Sequence, residues 1–177
     1  MNNNQRTRFL FDQMPVRGLH VQVEEVWQHI LRRKHYPAAI RRALGELLAA
    51  GSLLSGNLKT EGTLIIQVQG QGALKMLVVE ATSENTLRAT ARWDETVHIA
   101  DDAALSELLG NQGIFAITLQ PKDGEPWQGI VPLEGGSIAD MLMHYMAHSE
   151  QLETHIALVA DEKTAAGFLL QRLPEEQ

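Results

Sequence analysis

The chain has 177 residues, 44% of them apolar and 21% charged, a formal net charge of -7 at pH 7 and no cysteine. A chain of this length buries a core without covalent staples, and without cysteine it holds no disulfide, thiolate zinc site or thiol switch of its own. The acidic balance argues against a phosphate-driven nucleic-acid binder, which needs a basic face to release counterions.

No apolar run approaches the roughly 20 residues that cross a bilayer. The polar start, Met1-Asn-Asn-Asn-Gln-Arg6, lacks the basic-then-apolar order of a secretory signal. A soluble, cytoplasmic protein without membrane or nucleic-acid partners is expected.

Residues 7–12 and 16–23 read as an opening strand pair. Pro15 lies between them, where its missing N–H suits a bend or an edge. From Glu24 the apolar period lengthens to that of a helix. Val26, Trp27, Ile30 and Leu31 form the stripe, Glu24 and Glu25 suit its positive end, and Arg32, Arg33 and Lys34 its negative end. Tyr36-Pro37 stops that helix, and Pro37 suits the first turn of another. Ile40, Ala43, Leu44, Leu47, Leu48, Gly51 and Leu54 mark a long second stripe. The small residues Ala49, Ala50 and Gly51 predict close packing there, as in a central buried helix.

Residues 61–79 alternate as a hairpin, with Leu64, Ile66 and Val68 on one face and Leu74, Met76 and Val78 on the return strand. Gly70-Gln71-Gly72 is the turn, expected because glycine reaches positive φ. Residues 86–93 add a strand, and 101–109 a short helix capped by Gly110. Strands at 113–119 and 127–133 flank a Pro- and Gly-marked turn at 121–126. Ser137 with Asp140 opens the last helix in a capping-box arrangement, with the stripe Ile138, Met141, Leu142, Tyr145 and Met146. Strands at 154–160 and 165–172 close the chain around an Asp161-Glu162-Lys163 turn. Hairpins mixed with single helices indicate α+β: mixed or antiparallel sheets packed with a long buried helix and several shorter ones.

No catalytic motif survives inspection. Gly70-Gln-Gly72-Ala-Leu-Lys75 starts like a dinucleotide fingerprint, but Lys75 holds the third glycine position and strand follows where a helix is needed. Gly56-Asn-Leu-Lys-Thr60 lacks the upstream glycine spacing of a phosphate loop. His144 and His148 share a helix face, yet Tyr145 stands where a zinc protease carries glutamate, and no third ligand is spaced to join them. Gly135-Gly136-Ser137 lacks the glycine after serine of a nucleophile elbow, so Ser137 reads as an N-cap. Asp101, Asp102, Glu134, Asp140 and Glu150 form no pair forced together by spacing. The basic run Arg32-Arg33-Lys34, with Arg41 and Arg42 nearby, reads as a solvated helix end. Met141, Met143 and Met146 read as core at helical spacing, with Met143 off the main stripe.

Several short motifs follow one another along the chain: Phe9-Leu-Phe11 with Val16-Arg-Gly18, Leu47-Leu48 to Leu53-Leu54, Gln67-x-Gln69-Gly-x-Gly72, Gln128-Gly-Ile-Val-Pro-Leu-Glu-Gly135, Ser149-Glu-Gln-Leu152, and Ala165-Ala-Gly-Phe-Leu-Leu-Gln171 before Leu173-Pro174. In that order they resemble the heat-shock protein 33 family. The resemblance implies that residues 1–177 are that family's N-terminal substrate-binding and dimerisation domain, without its C-terminal linker and zinc domain. It implies an ATP-independent holdase that binds unfolding client proteins, a homodimer, and no catalysis. In the family, oxidation of the zinc domain switches the activity on, so zinc is not expected in this chain and no other cofactor is implied.

A holdase needs an exposed apolar surface with a soluble rim. On the opening and closing strands the candidates are Phe9, Phe11, Phe168 and Leu170, with Met143 as an outlying one. A passive interaction domain, or an enzyme acting on a small ligand, are the alternatives.

Overall fold

The computed structural model describes residues 4–133 and 136–174. Glu134 and Gly135, which end the 128–135 motif, lie outside the described residues. In chain order the elements are β1 (Asn4–Leu10), β2 (Val16–Val23), α1 (Glu25–Arg33), α2 (Ala38–Ser55), β3 (Gly62–Gly70), β4 (Leu74–Thr82) and β5 (Leu87–Trp93). They continue with α3 (Leu105–Leu109), β6 (Gly113–Pro121), β7 (Trp127–Pro132), α4 (Ile138–Tyr145), a π-helical turn at Met146–Glu150, β8 (Thr154–Ala160) and β9 (Ala165–Arg172).

The strands form a four-stranded sheet, β1-β2-β9-β8, and a five-stranded sheet, β5-β4-β3-β6-β7. Every pairing is antiparallel. Of the two sheet arrangements left open by the sequence, the wholly antiparallel one is found. The first and last strand pairs of the chain thus meet in one sheet, through β2 and β9.

Between the sheets runs α2, touching β2, β8 and β9 on one side and β3, β4 and β5 on the other. From Ala43 to Ser55 only Glu46 escapes full burial. A helix apolar all round belongs in an interior rather than on a surface. Its small residues set the spacing. A Cβ on Gly45 would lie 2.4 Å from Ala160 Cβ and 2.8 Å from Trp27, and one on Gly51 would lie 2.7 Å from Val79. Burial pushes the Glu46 carboxyl up, and nearby Arg42 opposes that shift.

Three expectations need correction. Gly70 and Gly72 do form the β3–β4 turn, but neither has positive φ. Their lack of a side chain serves proximity instead: a Cβ on Gly70 would sit 2.8 Å from Leu109 Cα and one on Gly72 2.4 Å from the Leu108 carbonyl. The N–H groups of Gln71 and Gly72 both donate to the Leu109 carbonyl at 2.9 Å, so the turn is clamped by the end of α3. That helix starts at Leu105 rather than 101, because Ala103 N–H closes a turn onto Ala100 and Arg42 holds the Asp101 carbonyl. The first strand runs over 4–10 rather than 7–12, because Leu10 is the last residue paired to β2. Gly110 caps α3 at φ +76° as expected, and Ser137 Oγ accepts the Asp140 N–H at 3.1 Å.

Replacing Gly45 with valine forces α2 away from β8 and Trp27. Urea denaturation should show a loss of about 1–3 kcal/mol, the usual cost of overpacking. A variant as stable as the parent would contradict the close approach.

Candidate functional site

Alternation on the four-stranded sheet divides its residues cleanly. Leu19, Val21, Val23, Ile156, Ala165 and Leu169 face α2 and are buried. The opposite face follows from the register. One row is Phe9, Gly18, Leu170 and His155, and the next is Thr7, His20, Phe168 and Ala157. The outward residues of β8, which are His155, Ala157 and Val159, are all exposed, Val159 by 63%.

An aromatic cluster occupies one corner of this outer face. Phe9 stacks on Phe168 with ring centroids 5.7 Å apart, and Phe11 meets Phe9 edge-on at 5.9 Å. Both distances suit favourable ring contacts. Phe11 remains 40% exposed, and Leu10 and Met14 beside it are exposed further. Leu170 neighbours Phe168 two residues along β9 and is half-buried.

Gly18 makes this arrangement possible. A Cβ there would fall 2.1 Å from the Phe9 ring, so only glycine lets that ring lie flat across β2 toward Phe168. The Val16-Arg-Gly18 motif thereby gains a physical reason that sequence inspection alone did not supply. The missing information was the β1–β2 register, which sets Gly18 opposite Phe9.

The inner face of β1 is unlike that of its neighbours. Arg6 and Arg8 point inward, opposite Val21 and Leu19. Arg6 donates to the Ser52 carbonyl, to Ser55 Oγ at 3.2 Å and to the Ser83 carbonyl at 3.1 Å, and Arg8 donates to the Gly56 carbonyl. These guanidinium groups satisfy carbonyls at the C-terminal end of α2. They also blunt an edge strand with inward charge, one of the devices that prevent edge-to-edge aggregation. Burial first, then the Arg8 charge, lowers the Arg6 pKa from its ordinary value.

Met143 is not brought to the cluster. It lies half-buried on α4, packed against the core. His144 and His148 stack at 4.1 Å, with His148 Nδ1 against the His144 carbonyl at 2.9 Å. Among the described residues no group of three or more metal-ligating side chains converges, and no helix is long and apolar enough to cross a membrane. On the outer face and its adjoining turn, Phe11, Leu10, Met14 and Val159 present exposed aromatic and aliphatic surface.

Comparison with known proteins agrees with this architecture. The family model described as Hsp33 protein matches residues 4–177. A relative named 33 kDa chaperonin from Neisseria gonorrhoeae is 74% identical over 97% of this chain and 57% of its own length. The 33 kDa chaperonin of Chromobacterium violaceum is 48% identical over 99% of this chain and 60% of its own. The crystal structure of the 33 kDa chaperonin of Thermotoga maritima superposes with a TM-score of 0.82 at 25% identity, covering 98% of this chain and 62% of that one. The chain thus spans somewhat over half the length of these relatives. By the match across nearly all of its residues, the chain belongs to the Hsp33 family.

Proposed function

We propose that this chain is the client-binding part of an ATP-independent holdase chaperone, and that it captures unfolding proteins on the outer face of the four-stranded sheet. The observation that carries this reading is the Phe9–Phe11–Phe168 cluster, in which half-buried Phe9 and Phe168 support an exposed Phe11, with exposed Leu10 and Met14 beside it and half-buried Leu170 and exposed Val159 on the same sheet. Unfolded chains present apolar segments without a fixed shape, and a broad sheet face accepts them where a deep pocket would not. The exposed polar residues His20, Gln22 and His155 share that face and keep it wetted. Membership of the family, whose relatives are named chaperonins, supports the same reading. Met143, packed against the core, contributes less than the four sheet and turn residues.

On this reading the chain catalyses no reaction and works in the cytoplasm. As a homodimer it would bury part of its apolar excess against a second copy. Oxidative switching belongs, in this proposal, to a zinc-bearing region of the family. These 177 residues contain no cysteine on which an oxidant could act in that way.

Phe168→Asp places a charge in the middle of the face and should cut suppression of client aggregation several-fold in light scattering. Ile130→Asp, an exposed position on β7 of the other sheet, should change it little. Equal activity of a folded Phe168→Asp variant with two unrelated clients would remove this face as the binding surface. Strict one-to-one binding of a single folded partner would instead favour a passive interaction domain.

Gly18→Val tests the scaffold of the cluster. It should lift the Phe9 ring and reduce suppression while circular dichroism stays unchanged. Full activity would show that the Phe9 position does not matter. Peroxide treatment should leave the activity of the purified chain unchanged, and activity appearing only after oxidation would contradict the proposal.

A further inference from the structure

Past the end of α2, between the two sheets and the C-terminal end of α4, the interior is only partly filled. It forms a cavity of about 390 Å³, within the range of about 300–1,000 Å³ typical of small-molecule sites. Leu64, Ile117 and Leu119 of the five-stranded sheet form an apolar wall. Trp127 and Tyr145 continue it, with ring centroids 6.4 Å apart. Trp127 stays 45% exposed, so much of a large apolar ring faces solvent there.

The charged groups lining this cavity are both cationic, Arg17 and Lys59, and among the described residues no carboxylate joins them. Arg17 is held in place: its Nε donates to Gln171 Oε1 at 2.9 Å and its Nη2 donates to the same oxygen. Gln171 is itself buried and donates to Thr154 Oγ1 at 3.1 Å. Neither Arg17 nor Lys59 makes an ion pair among the described residues. Burial, and after it the charge of Arg8, lowers the Arg17 pKa, as expected of a cation without a counter-charge. In a chain of net charge -7, a largely apolar cavity whose lining charges are both cationic is a local exception.

We propose that this cavity binds a single-chain carboxylate amphiphile, a free fatty acid, with the carboxylate at Arg17 and Lys59 and the hydrocarbon chain against Leu119 and Trp127. The occupant follows from charge complementarity. A fixed guanidinium suits a carboxylate, whereas a neutral or cationic head leaves both cations uncompensated. The site lies between the sheets and is separate from the outer face assigned to clients, so each assignment stands or falls by its own test.

Titration calorimetry with decanoate below its micelle concentration tests it on the whole chain. The expected result is saturable one-to-one binding, with decanol and decylamine several-fold weaker. Lys59→Gln, at an exposed position, should weaken decanoate about threefold, as for a partly solvated ion pair. Arg17→Gln should weaken it about tenfold, as for a hydrogen bond to a charged group. Phe168→Asp should leave it unchanged. Absence of saturable heat, equal affinity for decanol and decanoate, or loss of binding in Phe168→Asp would each overturn the proposal. If Arg17→Gln does not fold, the head-group series and Lys59→Gln still decide it.

Discussion

The structure depends on one helix being buried on every side. α2 fills the space between two antiparallel sheets, and its small residues Gly45 and Gly51 let both approach closely. A sheet has two faces, and a single helix layer covers only one of each. Antiparallel sheets tolerate that, because alternation allows one face to pack and the other to meet water. What differs here is the composition of one outer face. On the four-stranded sheet the outward positions of β1 and β9 include Phe9, Phe168 and Leu170.

That outer face is also assembled with some care. Phe9 can lie flat only because Gly18 sits beneath it, and its stack with Phe168 joins the chain's opening strand to its closing strand. The face is therefore ordered before any partner arrives, which limits the entropy lost on binding. The adjoining edge strand is protected from the other side, where Arg6 and Arg8 turn inward and tie β1 to the end of α2. The sheet thus keeps an apolar outer face while its hydrogen-bonding edge is discouraged from recruiting another sheet.

Much of this was legible in the sequence. The closing strands at 154–160 and 165–172, the buried helix and its close packing, the Ser137 cap and the Gly110 cap all follow from local periodicity and capping chemistry. Phe9, Phe11 and Phe168 were recognisable as surface candidates on the opening and closing strands, but their contact with one another was not legible, since no local rule pairs the first strands with the last. The outcome for Met143 shows the same limit: an off-stripe position on a short helix still packs when the helix is wedged between other elements. Gly70 and Gly72 show another, because the sequence marks a turn but not the helix end that crowds it. The arginine clamp on α2 and the cavity beyond it arise from the meeting of distant segments, which sequence spacing does not encode.

The central claim is that clients contact the uncovered face of the four-stranded sheet. Placing a photo-crosslinking phenylalanine analogue at position 168, and in a separate variant at position 130, tests this most directly while a client unfolds in the presence of the chain. The account predicts client adducts at 168 and few at 130. Adducts at 130 alone, or equal yields at both positions, would contradict it.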